Sequence, residues 1–157
     1  MTVFYRVALW AAASLVPGMT AARPPAPVRI VASDNKAALI ALSEDPLTIK
    51  ATRFDTIRGL VDLMDAAEAA AARMTVPALF LYGGHDQLIP PRSMRATWRL
   101  LPAGARRAFY PPGYHLLLRD LERAAPIGDI IAWLADPAAP LPSGADEAAI
   151  AWLHAAT

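Results

Sequence analysis

The sequence predicts an α/β fold. Two short apolar runs, "VPALFLYG" and "ARRAFYP", are bounded by proline, glycine or alanine and are too short for buried helices. Both alternations of the first run are apolar, which suits a strand covered on both faces. Segments with helical spacing lie before, between and after the two runs. Helix, strand, helix, strand, helix implies parallel strands with helices packed on them.

Each element follows from local chemistry. Residues 3 to 16 read as a helix stopped by Pro17-Gly18. "ARPPAPVRI" reads as a proline-rich extended connection. Ser33 or Asp34 is placed to cap a short helix through "NKAALIALS", which ends before Asp45-Pro46. "PLTIKATRF" reads as irregular. Asp55 is placed to cap a longer helix, "TIRGLVDLMDAAEAAAARM". Ile57, Leu60, Val61, Met64 and Ala67 or Ala71 fall at helical spacing and predict one buried face. After the first strand, Ser93 to Leu101 reads as a helix with Met94, Trp98 and Leu101 on one side. After the second, Leu121 to Leu134 reads as a helix with Ile127, Ile130, Ile131 and Leu134 inward. The tail reads as a proline-rich linker and one weak terminal helix. The expected organisation is a helical segment over 1–54, a core portion over 55–136, and the linker with its helix over 137–157.

The 157 residues suit one domain. A 55% hydrophobic share with 18% charged excludes a disordered chain. A net charge of +1 offers no electrostatic case for nucleic acid or an anionic membrane, and Arg106-Arg107 reads as a solvated strand start. Cysteine is absent, so disulfides and thiol nucleophiles are excluded. No apolar run reaches the roughly 18 residues of a transmembrane span. The first 25 residues, with Arg6, an apolar stretch and Ala21-Ala22, fit either a secretory signal or an internal helix.

Two strand ends carry the chemistry. Asp86 follows the first strand after Gly83-Gly84, and His115 follows the second after Pro111-Pro112-Gly113. Parallel neighbours would bring both to one edge of the sheet, where ligands bind in open parallel sheets. A carboxylate bonded to one imidazole nitrogen fixes the tautomer and stabilises the imidazolium, the orienter and base of a nucleophilic hydrolase. The plainer alternatives are a turn-forming Asp86 and a helix-capping His115. His85, His115 and His154 lack metal-ligand spacing, so no metal is expected. Gly83-Gly84 is not a dinucleotide fingerprint, and no cofactor is expected.

"VPALFLYGGHDQLIPP", "FYPPGYHLLLRD" and "IGDIIAWL", with the preceding "SDNKAALIALSEDPLTIKATRFDTIRGLVDLMDAA", resemble the C-terminal portion of an α/β-hydrolase. The similar branch is the monoacylglycerol lipase and lysophospholipase-like group, classed with S33-type serine aminopeptidases. The resemblance implies a partial α/β-hydrolase fold: two parallel C-terminal strands, flanking helices and a helical lid. It implies Asp86 and His115 as acid and base of a catalytic triad. It implies a lid helix at "YRVALWAAASLVPG" in place of a secretory signal, hence a cytoplasmic location. Leu9, Trp10, Leu15 and Val16 of that helix would line an acyl-chain tunnel for a lipid-like acyl ester; ordinary helix packing explains them equally.

The family nucleophile sits in G-x-S-x-G, and no such motif occurs here. Ser14, Ser33, Ser43, Ser93 and Ser143 all lack the flanking glycines. The expectation is therefore a serine hydrolase represented by its C-terminal portion, inactive alone, whose first strand would have an open edge without its missing N-terminal half. The alternative is a stand-alone, non-catalytic binding module, exported or not.

Overall fold

The computed structural model describes residues 3–21 and 30–155. The proline-rich connection expected over 22–30 lies, except for Ile30, outside the described residues. The chain divides into two compact units, Met1–Arg29 with Glu44–Ala70, and Ile30–Ser43 with Ala71–Thr157. These units cut across the boundary expected at residue 54, because the helix that follows it packs on the first helix of the chain.

In the first unit, α1 (Val3–Leu15) packs against α3 (Phe54–Ala70). Arg6 forms a two-pronged ion pair with Asp65, one prong at 2.8 Å. A two-residue strand β1 (Thr20–Ala21) pairs antiparallel with β2 (Thr52–Arg53), inside the stretch expected to be irregular. This pairing also explains how α3 starts. Phe54 and Asp55 donate their N–H groups to the carbonyls of Met19 and Pro17, so backbone receives the first orphan amides. Asp55 is not the cap; its carboxylate accepts from Arg53. The predicted buried face of α3 is only a seam: Ile57 and Val61 are half-buried, Leu60, Met64 and Ala67 are exposed, and Ala71 is buried in the single 3₁₀ turn that follows. One neighbouring helix covers too narrow a stripe to bury a full amphipathic face.

The second unit is a two-stranded parallel sheet with helices on both faces. β3 (Leu79–Gly83) pairs with β4 (Arg106–Tyr110), in register from Leu79 opposite Arg106 to Gly83 opposite Tyr110. Alternate side chains serve two clusters. Phe80, Tyr82 and Phe109 meet Trp98 of α4 (Pro91–Leu100) and Ala149 and Trp152 of α6 (Ala145–His154). Leu79, Leu81, Ala108 and Tyr110 meet Trp133 of α5 (Ala124–Ala135) and Leu141 and Ala145 of the tail. Phe109 and Trp152 stack with centroids 4.8 Å apart. The tail is thus no loose linker: α6 lies against β4 and completes the aromatic cluster. Among the described residues β3 pairs on one side only, and Leu79 to Leu81 are half-buried.

Helix α4 begins at Pro91, two residues before the expected Ser93, because proline at the first helical position gives up an N–H that would have no partner. Arg106 and Arg107 are not a solvated strand start. Arg106 pairs with Asp146 at 2.9 Å, and Arg107 donates to the carbonyls of Trp98, Leu101 and Ala105 at 3.0, 2.7 and 2.8 Å. A guanidinium at the end of α4 meets orphan carbonyls and the negative end of the helix dipole. Burial pushes its pKa below the usual arginine value.

Helix α5 is rotated from its expected orientation. Pro126 and Asp129 are buried and Trp133 packs on the core, whereas Ile127, Ile131 and Leu134 are exposed and Ile130 is half-buried. Asp129 sets this rotation. Its carboxylate accepts from Tyr110 Oη at 2.8 Å, from the Ser143 N–H at 3.0 Å, and from the Ser143 hydroxyl. A buried carboxylate must face its donors, and the isoleucines on the other side of the helix turn outward. Short α2 (Lys36–Glu44) is capped by Asn35, not by Ser33 or Asp34: Asn35 Oδ1 accepts the Ala38 N–H at 3.1 Å.

Candidate active site

The parallel register carries β3 and β4 out at the same edge, and two tight loops follow. The Asp86 loop and the His115 loop are in backbone contact. Gly84 donates to the Tyr110 carbonyl and His85 to the Gly113 carbonyl, both at 2.8 Å. This approach requires glycine. A Cβ on Gly83 would lie 2.5 Å from the carbonyl oxygens of Gly113 and Tyr114, and one on Gly84 would lie 2.5 Å from that of Pro111. Such contacts are far inside van der Waals distance, and backbone cannot swing aside as a side chain can.

Asp86 is buried and uses both oxygens. Oδ1 accepts the N–H groups of Leu88 and Ile89 at 2.8 and 2.9 Å, closing an Asx turn. Oδ2 lies 2.9 Å from His115 Nδ1. The turn-former and the imidazole partner expected as alternatives are thus both present, one on each oxygen. His115 does not cap a helix. Its side chain is 35% exposed and that of Asp86 6%. A carboxylate only accepts, so this bond puts the imidazole proton on Nδ1 and leaves the lone pair on Nε2. No hydrogen bond among the described residues uses Nε2.

A mainly apolar cleft of about 330 Å³ adjoins the imidazole, lined by Leu81, Leu116, Leu117, Leu118 and Ile130, with Arg119 and His115 as its polar members. Of the four residues expected to line an acyl tunnel, Leu9 and Trp10 border a cleft of about 270 Å³ with Arg58 and Val61 inside the first unit, while Leu15 and Val16 are exposed. None of the five serines bonds to His115; Ser33 and Ser143 are held by Asp120 and Asp129. Among the described residues no three His, Asp or Glu side chains gather as metal ligands would, and no helix is long and apolar enough to cross a membrane.

The buried acids Asp120 and Asp129 were not singled out in the sequence. A signal was present: each is a lone carboxylate in an apolar motif, "HLLLRD" and "IGDIIAWL", where burial demands donors.

The fold is similar to that of a monoacylglycerol lipase from Paleococcus ferrophilus, with a TM-score of 0.70 and 24% sequence identity. The match covers 85% of this chain and 52% of the lipase, so the chain spans about half the length of that relative. A family model described as serine aminopeptidase, S33, matches residues 1–122, which include both strands, Asp86 and His115. The chain is a member of the S33 serine aminopeptidase family, with a partial α/β-hydrolase fold similar to that of the lipase.

Proposed function

We propose that this chain supplies the acid and the base of a serine hydrolase that cleaves a lipid-like carboxylic ester, with the nucleophile and the oxyanion hole contributed by a separate segment carrying G-x-S-x-G. The single observation that supports the reading is the 2.9 Å bond between Asp86 Oδ2 and His115 Nδ1, which leaves Nε2 without a hydrogen bond among the described residues. In such a site Nε2 takes the proton of the serine hydroxyl as it attacks the ester carbonyl and returns it to the leaving alkoxide. Asp86 holds the tautomer and stabilises the imidazolium. The cleft of Leu81, Leu116 to Leu118 and Ile130 favours an apolar acyl or alkyl group beside the imidazole.

Without a nucleophile and an oxyanion hole, a base pair alone has little to accelerate. The purified 157-residue chain is expected to hydrolyse nitrophenyl esters no faster than buffer and to resist a fluorophosphonate probe. Co-expression with a segment carrying G-x-S-x-G and the preceding strands is expected to yield esterase activity. His115→Ala should then lower kcat on the order of 10⁶-fold and Asp86→Ala on the order of 10⁴-fold. Stoichiometric labelling of any of the five serines in the chain alone, or complemented activity indifferent to His115, would overturn the proposal.

A further inference from the structure

The segment from Val31 to Asn35 touches both loops of the site. The Val31 N–H donates to Gln87 Oε1 at 3.0 Å, beside Asp86, and the Leu116 N–H donates to the Ala32 carbonyl at 2.9 Å, beside His115. Ser33 Oγ donates to Asp120 Oδ1 at 2.6 Å, and the Tyr114 N–H donates to Asp120 Oδ2 at 2.7 Å. Asn35 Nδ2 reaches the Arg119 carbonyl at 2.9 Å, and the Leu121 N–H reaches Asp34 Oδ1 at 2.9 Å. Ser33 and Asp120 are 1% and 3% exposed. The backbone amides on either side of His115, those of Tyr114 and Leu116, are thus both held by this assembly.

We infer that Asp120, oriented by Ser33, is a positioning residue for His115, and that the Val31–Asn35 strap sets the spacing between the histidine loop and the acid loop. The inference deepens the reading of Asp86 and His115 as acid and base and rests on it. The physical reason is geometric. Asp120 is five residues beyond His115 and closes the loop through the Tyr114 amide. Both of its oxygens are used, so its carboxylate has no free rotation. Removing the Ser33 hydroxyl takes away a charge-assisted bond in a buried site and lets the carboxylate turn. The Tyr114 amide then loses its fixed acceptor, and the imidazole that follows loses its register with Asp86 Oδ2. Ser33 and Asp120 bond to each other, Asp120 also holds the Tyr114 amide, and the imidazole bonds to Asp86, so neither Ser33 nor Asp120 is a catalytic residue.

The test uses the full chain labelled with ¹⁵N. The Nδ1–H of His115, shielded by Asp86, should give a resolved proton resonance in slow exchange with water. Ser33→Ala is expected to speed that exchange by about tenfold or more, or to abolish the resonance, while the amide shifts of β3 and β4 stay in place. Ser33→Thr, which restores the hydroxyl, should recover it. Asp120→Ala should act as Ser33→Ala does, and Asp120→Asn, which keeps an acceptor for Tyr114, should act more weakly. Should Asp120→Ala unfold the chain, the Ser33 pair decides. Asp86→Ala serves as the reference. If it leaves the resonance and its exchange unchanged, the acid–base reading itself fails. If it abolishes the resonance while Ser33→Ala leaves it intact and protected, only the positioning role is overturned.

Discussion

Helices α1 and α6 are both short, alanine-rich and apolar, yet they end in opposite environments. Over 13 residues α1 buries only Ala13, and its Trp10 is 56% exposed. Over 10 residues α6 buries Ala145 and Ala149 and stacks Trp152 on Phe109. Mean apolarity does not separate them. What separates them is the partner: α6 meets a sheet face that presents Tyr82 and Phe109, whereas α1 meets the seam of one helix. A flat aromatic face buries a helix side broadly, and a helix–helix seam buries a stripe.

Mutations can break or sharpen this contrast. Trp98→Ala removes a fully buried side chain from the cluster shared by α4, β3 and α6. It is expected to cost about 3–5 kcal/mol, enough to unfold the second unit in water, and a urea titration followed by near-UV circular dichroism reads it. Asp129→Ala should cost about 1.5–3 kcal/mol by leaving the Tyr110 hydroxyl and both Ser143 donors without their acceptor, seen as a lower urea midpoint at unchanged slope.

Tyr110→Phe should matter less at neutral pH and more in alkali. Burial first, and then the bond to Asp129, push the phenol pKa above its ordinary 10.0. The unfolded chain therefore releases this proton at a lower pH than the folded one. The contribution is fully present below pH 10 and is lost as pH rises from there toward the folded value. Urea midpoints measured from pH 8 to 11 should fall less steeply for Tyr110→Phe than for the parent chain; parallel curves would remove Tyr110 as a cause. The smallest effect belongs to α1. Trp10→Ala, although it loses an arginine cation 6.0 Å from the ring centroid, should change stability by no more than about 0.5 kcal/mol. A loss as large as that of Trp98→Ala would mean that α1 is covered in solution and would erase the contrast.

The same contrast marks what was legible in the sequence. β3, β4 and α4 were readable because their patterns were strong and their partners lie within a few tens of residues. That the side chains of Asp86 and His115 would meet was readable because parallel strands dictate where their loops emerge. The face of α5 was misjudged because four apolar residues outvoted Asp129, although one buried carboxylate with three donors fixes a helix rotation more firmly than an isoleucine does. α6 was undervalued because its spacing is weak and its burial depends on aromatics far earlier in the chain. The Val31–Asn35 strap was invisible: its bonds to Gln87, Leu116 and Asp120 span 56 to 87 residues and use ordinary polar groups.

The glycines between the two loops bear on transplantation. Anyone grafting this acid and imidazole onto another parallel sheet would copy Asp86 and His115 first. The copy would fail if the host kept side chains at the positions of Gly83 and Gly84, because each Cβ would meet a carbonyl at 2.5 Å and wedge the loops apart. The smallest portable unit is therefore four positions, the Asp86–His115 pair and the bare backbone of Gly83 and Gly84 that lets it form, and a graft library should hold all four and vary the rest of the two loops.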